Sequence, residues 1–231
     1  PAKTVLYLSL SGTVNLRTRV DPGPDGDRVR LAIGGGSFGA RHAMASYTTA
    51  IGDAGLMVLG SYRAAEGDFR FWSDNGTNLN PDDDSEMRRR NNDFEQVDVV
   101  ARLAEGERYS LGSRLLYRSQ GIPGFGTIQT ESTRYSVLSE LLDGSLRRPL
   151  GDGVMRVNGF AYLERARYQD VDNEVGLGAQ NRSYLTAATG AGASYERAIG
   201  DDHKLEVAFD ARLDGFDERE VDMDDGRETS G

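Results

Sequence analysis

The chain of 231 residues has no cysteine and only two histidines, His42 and His203, far apart. That excludes a disulfide framework, a Cys-based zinc site, a thiol nucleophile and a His-rich metal centre. No stretch approaches the ~18 consecutive apolar residues of a membrane-spanning helix, whereas a membrane strand needs only about ten residues of alternating character. Basic residues are the minority, 27 Lys and Arg against 37 Asp and Glu for a net charge of −10. A nucleic-acid surface needs clustered cations and is excluded as a reading. The one basic run, Arg88 to Arg90, lies between Asp82-Asp83-Asp84 and Asp93. No Gly-x-Ser-x-Gly elbow, P-loop or His-Glu-x-x-His occurs, so no enzyme is expected. An initiator Met, a basic leader and a short apolar segment are also missing at the start. A signal peptide has been removed or the chain is an internal piece.

What is present points to β-structure. At 38% hydrophobic residues the chain is too apolar to be wholly disordered, and 29 glycines with no G-X-Y period and 6 prolines suit closely spaced strands and tight turns. Lys204 to Phe216 alternates Leu205, Val207, Phe209, Ala211 and Leu213 with Glu206, Asp210, Arg212 and Asp214. This is a strand with one oily and one charged face. Phe94 to Leu103, Arg108 to Ser119 and Val154 to Arg167 repeat the pattern. Arg28 to Gly36, Phe38 to Ile51, Gly55 to Glu66, Arg134 to Arg147 and Tyr184 to Ile199 do so more weakly. About nine strands and no helix are expected.

The connections alternate in length. Short polar turns at Gly52-Asp53, Glu105-Gly106-Glu107, Gly151-Asp152-Gly153 and Gly200-Asp201-Asp202 separate long ones at 67–93, 120–133 and 169–183. An outer-membrane barrel places short periplasmic turns at one end and long external loops at the other. A soluble β-sandwich has no reason to do so and is the alternative. Tyr109 and Tyr117 lie on one face eight residues apart, roughly 20 Å of height in a strand tilted by about 40°, close to the spacing of two aromatic girdles.

Several segments, taken in order, resemble one family. Ser11-Gly12-Thr13-Val14-Asn15-Leu16-Arg17-Thr18-Arg19 resembles the last plug strand of TonB-dependent outer-membrane receptors, with Ser11-Gly12 where the family has a glycine pair. After a Pro-Gly-Asp linker, Arg28 to Gly36 with Gly36-Ser37-Phe38-Gly39 is similar to the first barrel hairpin. Gly67-Asp68-Phe69-Arg70-Phe71, Asp74-Asn75-Gly76-Thr77, Asn80-Pro81-Asp82-Asp83 and Arg90-Asn91-Asn92-Asp93-Phe94 resemble the second external loop. Ser119-Gln120-Gly121-Ile122-Pro123-Gly124 resembles a Gln-Gly-Val-Pro-Gly segment of the third. The resemblance implies an antiparallel transmembrane β-barrel of 22 strands around a plug, of which residues 1–21 are the plug's tail, 22–27 a linker, and 28–231 about nine barrel strands ending in an external loop. It further implies location in the Gram-negative outer membrane, with lipid, the chain's own plug, the TonB complex and a bulky ligand as partners. The implied function is energised uptake of a ferric siderophore, cobalamin or a glycan. The alternatives are a non-energised barrel, such as a porin or adhesin, and a soluble β-sandwich binding protein.

The residues expected to touch the ligand lie in the long loops: Phe69, Phe71, Trp72, Arg88, Arg89, Arg90, Gln120 and Phe125. Asp74, Asp82, Asp83 and Asp84, with Asn75, Asn78 and Asn80, supply the hard oxygen ligands that Ca²⁺ prefers and form a candidate loop-ordering site. The same aspartates otherwise form a solvated loop neutralised by Arg88 to Arg90. Asp98, Arg102, Arg114, Glu164, Asp210 and Arg212 are expected to face a wet interior, because charge on a lipid face is costly.

Overall fold

The structure is a computed structural model that describes residues 26–77, 79–200, 203–221 and 228–230. The expected plug tail and all but the last two linker residues lie outside the described residues. Nine long strands follow one another: β1 (Arg28–Gly35), β2 (Arg41–Ile51), β3 (Ala54–Ala65), β6 (Phe94–Glu105), β7 (Tyr109–Gly121), β8 (Arg134–Leu150), β9 (Gly153–Asp170), β10 (Gln180–Ile199) and β11 (His203–Val221). Short strands β4 (Arg70–Ser73) and β5 (Ser85–Arg88) pair as a separate hairpin between β3 and β6, and β12 (Glu228–Ser230) pairs with β11. The main sheet is antiparallel in the order β1-β2-β3-β6-β7-β8-β9-β10-β11-β12.

The antiparallel sheet of nine long strands is as expected, and it is open. No ladder joins β1 to β11 or β12, so both edges of the sheet stay unpaired among the described residues. The 67–93 connection, read as a loop, contains the β4–β5 hairpin, with Phe71 opposite Met87 and Trp72 opposite Glu86. The other two long connections are shorter than expected, 122–133 and 171–179, because β7, β9 and β10 continue beyond the alternating apolar segments. Phe38, at the start of a strand by periodicity and within the Gly36 to Gly39 turn by resemblance, sits in the β1–β2 turn with φ 59°.

The four turns of two or three residues all lie at one end of the sheet, and each uses a glycine in the left-handed region: Gly52, Gly106, Gly151 and Gly200. A side chain there would be strained, so the hairpins close where the sequence supplies glycine. The β6–β7 turn is closed further by Arg108 N–H donating to the Glu105 carbonyl at 2.8 Å and by an ion pair between the same side chains, also 2.8 Å.

The register gathers the apolar alternation of the separate strands onto one face. Val97, Val99, Ala101 and Leu103 of β6 stand opposite Tyr117, Leu115, Ser113 and Leu111 of β7. Those are opposite Leu138, Glu140, Leu142 and Gly144 of β8, which in turn face Arg165, Leu163, Ala161 and Gly159 of β9. Ala187, Thr189, Ala191 and Ala193 of β10 and Gly215, Leu213, Ala211 and Phe209 of β11 continue the face. At the other edge, Val58 and Leu56 of β3, Tyr47 and Ala45 of β2, and Val29 and Leu31 of β1 extend it. Glu140 is the one carboxylate within this field.

Nothing among the described residues covers that face. The buried hydrophobic residues among those described are only Ala54, Ala64, Ala166 and Ala188, while Leu31, Leu111, Leu142, Leu163, Phe209 and Leu213 are exposed. A water-soluble sheet buries one face against a second layer. Here the only other structured elements described are a two-stranded hairpin and the 3₁₀ turn Pro81–Asp83.

The turns are staggered. Gly55, Ala104, Ser110, Ser145, Asn158 and Gly192 form one unbroken row from β3 to β10. Counted from that row, the β2–β3 and β6–β7 hairpins close one residue away, at Ala54 and Glu105, the β8–β9 hairpin five away, at Leu150, and the β10–β11 hairpin seven away, at Ile199. Six residues of drift accumulate over six strand spacings. At ~3.3 Å per residue and ~4.8 Å between strands, the line of turns slants by roughly 35° to the hydrogen-bonding direction. Strand tilts of about 35–45° are what closed barrels require.

Candidate functional site

The loops at the other end form a cluster held by polar joints. Thr130, Thr133 and Asp170 are fully buried there, in a protein with almost no apolar core. Glu174, on the β9–β10 loop, accepts from the backbone N–H of Glu131 (2.7 Å), Ser132 (2.9 Å) and Thr133 (2.9 Å) and from Thr133 Oγ1 (2.7 Å). Asp170 accepts from Thr133 Oγ1 (3.2 Å) and from the N–H of Glu174 (2.7 Å) and Val175 (3.1 Å). Asn91, before β6, donates through Nδ2 to Thr130 Oγ1 (2.9 Å) and the Thr133 carbonyl (2.6 Å). The connections before β6, β8 and β10 are therefore one unit. Partial burial pushes the Glu174 carboxyl up, but the hydrogen bonds from Thr133, Ser132 and Glu131 outweigh it and bring it down to about 2.

Gly121 is what lets Asn91 in. A Cβ there would run into the backbone and side chain of Asn91, so this close approach requires glycine.

The sequence-predicted ligand residues separate into three groups. Arg88, Arg89 and Arg90 are joints: Arg88 pairs with Asp68 and donates Nε to its carbonyl (3.0 Å), Arg89 donates to the carbonyls of Gly124 and Gly126, and Arg90 pairs with Glu131 at 2.5 Å. They do not neutralise Asp82 to Asp84. Phe69 and Phe71 form an aromatic chain with Phe38, ring centroids 6.0 and 6.2 Å apart, capped by the Arg89 guanidinium 5.7 Å above Phe71. Trp72 and Phe125 are open to solvent, 68% and 84% exposed, and the Trp72 indole N–H donates to Asp84 at 3.2 Å. Gln120 is on the polar face, where Oε1 accepts from Arg118 Nε at 2.8 Å.

No group of three or more His, Asp or Glu side chains is disposed to hold a metal among the described residues. The oxygens of the loop aspartates serve the loop itself: Asp83 accepts from Thr77 Oγ1 (2.7 and 2.8 Å), Asp84 from Trp72, and Asp74 Oδ1 from the N–H of Gly76 (3.1 Å). Asn75 Nδ2 also donates to Asp83 Oδ2 at 3.4 Å, so these side chains brace one loop. Asn78 lies outside the described residues.

The polar face carries the charges expected of it. Asp98, buried, accepts from Arg114 Nη2 (2.8 Å) and Gln96 Nε2 (2.6 Å). Arg102 lies 3.7 Å from Asp143, and Arg212 is bound to Asp214 at 2.7 Å. Glu164 accepts from the Tyr162 hydroxyl, while Asp210 packs beside Gly192, where a Cβ would collide with its carboxylate. Pairing both across strands, as in Asp98–Arg114, and along one strand, as in Arg212–Asp214, keeps these charges satisfied on a surface that water or a partner must occupy.

The fold and its surfaces thus define a large antiparallel sheet with one apolar and one polar face, tight turns at one end and a latched loop cluster at the other. No protein-family model matches the chain, and no curated protein matches it.

Proposed function

We propose that this chain is part of a transmembrane β-barrel in a Gram-negative outer membrane, with the latched loops outside and the tight turns in the periplasm. The observation that carries the reading is the uncovered apolar face whose turns drift by about one residue per strand. An outward apolar band and tilted strands are the two features by which a barrel fits a bilayer. The sequence resemblance takes the proposal one step further, to a TonB-dependent receptor that binds a scarce bulky solute at its loops and releases it through the lumen. On that reading Trp72 and Phe125 meet the solute, the Phe38-Phe69-Phe71 chain backs them, and Arg88 to Arg90 hold the platform in place. The plug occupies the polar face and reaches TonB through residues that precede the barrel.

Epitope tags test the orientation in the full-length protein. A tag in the 122–133 loop should bind antibody on intact cells, and a tag at Asp152 should bind only after the outer membrane is opened. The reverse pattern, or access at both sites, refutes the reading. The complete reading frame separates an energised receptor from a porin or adhesin, since a plug and TonB box upstream of Pro1 belong only to the first.

A further inference from the structure

We propose that the loop-side edge of the apolar face, on β9, β10 and β11, seats the phosphate of an anionic lipid whose acyl chains lie along the apolar face below. This rests on the membrane reading above, because it needs lipid beside the face. On β9 the apolar side ends at Leu163, and the next two residues on that side are Arg165 and Arg167. On β11 it ends at Leu213 and, past Gly215, continues as Asp217 and Arg219. Between them β10 contributes Leu185 and then Ser183. Arg165, Leu185 and Asp217 form one row across the three strands, and Arg167, Ser183 and Arg219 form the next.

Arg165, Ser183, Leu185, Asp217 and Arg219 line a cavity of about 70 Å³. Water's share of the liquid is about 30 Å³, so the space admits one small group and not a sugar ring. In these two rows of β9, β10 and β11, three guanidiniums stand against one carboxylate, Asp217. Arg219 Nε donates to Asp217 at 2.6 Å and Arg167 Nε to Asn181 Oδ1 at 3.1 Å, which fixes both forks. Arg165 is exposed, and its side chain makes no hydrogen bond or ion pair among the described residues. The same row further along the sheet is Glu95, Ser119 and Ser136, so the positive charge is local to β9–β11 and is not a general belt. Arg134, the nearest further cation on that face, is held by Asp93 at 2.8 Å. A free guanidinium fork matches phosphate oxygens bidentately, Ser183 adds a hydroxyl donor, and Leu185 meets the start of the hydrocarbon.

The test is electron paramagnetic resonance of spin-labelled lipids beside the full-length protein in phosphatidylcholine vesicles. Spin-labelled phosphatidic acid should be immobilised about tenfold more strongly than spin-labelled phosphatidylcholine, as expected for clustered arginines at a membrane surface. The preference should vanish in R165Q/R219Q, weaken without vanishing in Arg165→Lys, which keeps the charge and loses the fork, and be unchanged in Arg182→Gln, which alters the opposite face. Immobilised lipid without headgroup preference, or an unchanged preference in R165Q/R219Q, overturns the proposal alone. Displacement of the labelled lipid by millimolar inorganic phosphate would make this a free-anion site and also overturn it. The absence of any immobilised lipid would overturn the membrane reading with it.

Discussion

Placing arginine at Leu142 probes the apolar face at its centre. Leu142 is opposite Ser113 of β7 and Ala161 of β9. Ser113 is four residues from both Tyr109 and Tyr117, so Leu142 sits near the middle of the two tyrosines' levels, each about 11 Å away in height for strands tilted by ~35°. Leu142 is 48% exposed, so Arg replaces no packed core and leaves no cavity. In a bilayer Leu142→Arg should cost about 2–4 kcal/mol, while Leu150→Arg, on the same strand and face but at the β8–β9 turn, should cost about 0–1 kcal/mol. On a water-facing sheet both changes should fall within about 0.5 kcal/mol of zero. The assay is denaturant unfolding of the full-length protein in lipid vesicles, with Arg102→Gln as the polar-face control. That substitution loosens a half-exposed pair with Asp143 and should cost no more than about 1 kcal/mol. Equal costs at Leu142 and Leu150 would refute the placement of the face in hydrocarbon.

Glu140 stands in the same field between Leu115 and Leu163, so Glu140→Leu should stabilise the protein in vesicles by up to about 2 kcal/mol; destabilisation in the same unfolding assay would contradict the lipid contact. The Glu174 carboxyl is held at about 2 against an ordinary 4.5, so its contribution is complete above 4.5 and is lost as pH falls towards 2. Protection of the 122–133 loop from an acid-active protease should accordingly persist at pH 5 and decline below about 4.5, and Glu174→Gln should abolish this pH dependence. Asn91→Ala leaves buried Thr130 and the Thr133 carbonyl without its donor and should raise the proteolysis rate of the same loop about tenfold, corresponding to about 1–2 kcal/mol. A rate unchanged within twofold would remove the latch. Trp72→Ala and Phe125→Ala should lower uptake or binding of the cognate solute without moving the unfolding midpoint, and a shifted midpoint would mark them as structural.

Period-two alternation made the strands legible, because an isolated pattern such as Leu205 to Leu213 already specifies which residues share a face. The tight turns were legible for a similar reason, since Gly52, Gly106, Gly151 and Gly200 punctuate the pattern with a residue that tolerates positive φ. The register was not. Nothing within β8 alone aligns Leu142 with Ser113 and Ala161, yet that alignment turns separate amphipathic strands into one continuous face. The loop cluster was the least legible part. Asn91, Thr130, Thr133, Asp170 and Glu174 are common loop residues, and their pairing depends on contacts between segments about 40 residues apart. The charge of Arg88 to Arg90 was legible, but not which loop carbonyls and carboxylates those side chains engage, because these lie up to about 40 residues away. A glycine such as Gly121 was the available hint, since a glycine between a strand and a loop often marks close backbone approach.

Spin labels at successive positions from Met155 to Leu163 test the central claim most directly, and the absence of native cysteine makes single-cysteine labelling of the full-length protein clean. In vesicles, labels at 155, 157, 159, 161 and 163 should be relaxed by oxygen, which concentrates in hydrocarbon, and labels at 156, 158, 160 and 162 by a water-soluble nickel chelate. Oxygen accessibility at the odd positions should peak at 159, the middle of the band. Equal nickel accessibility at odd and even positions would contradict the account, because both faces of the sheet would then be in water.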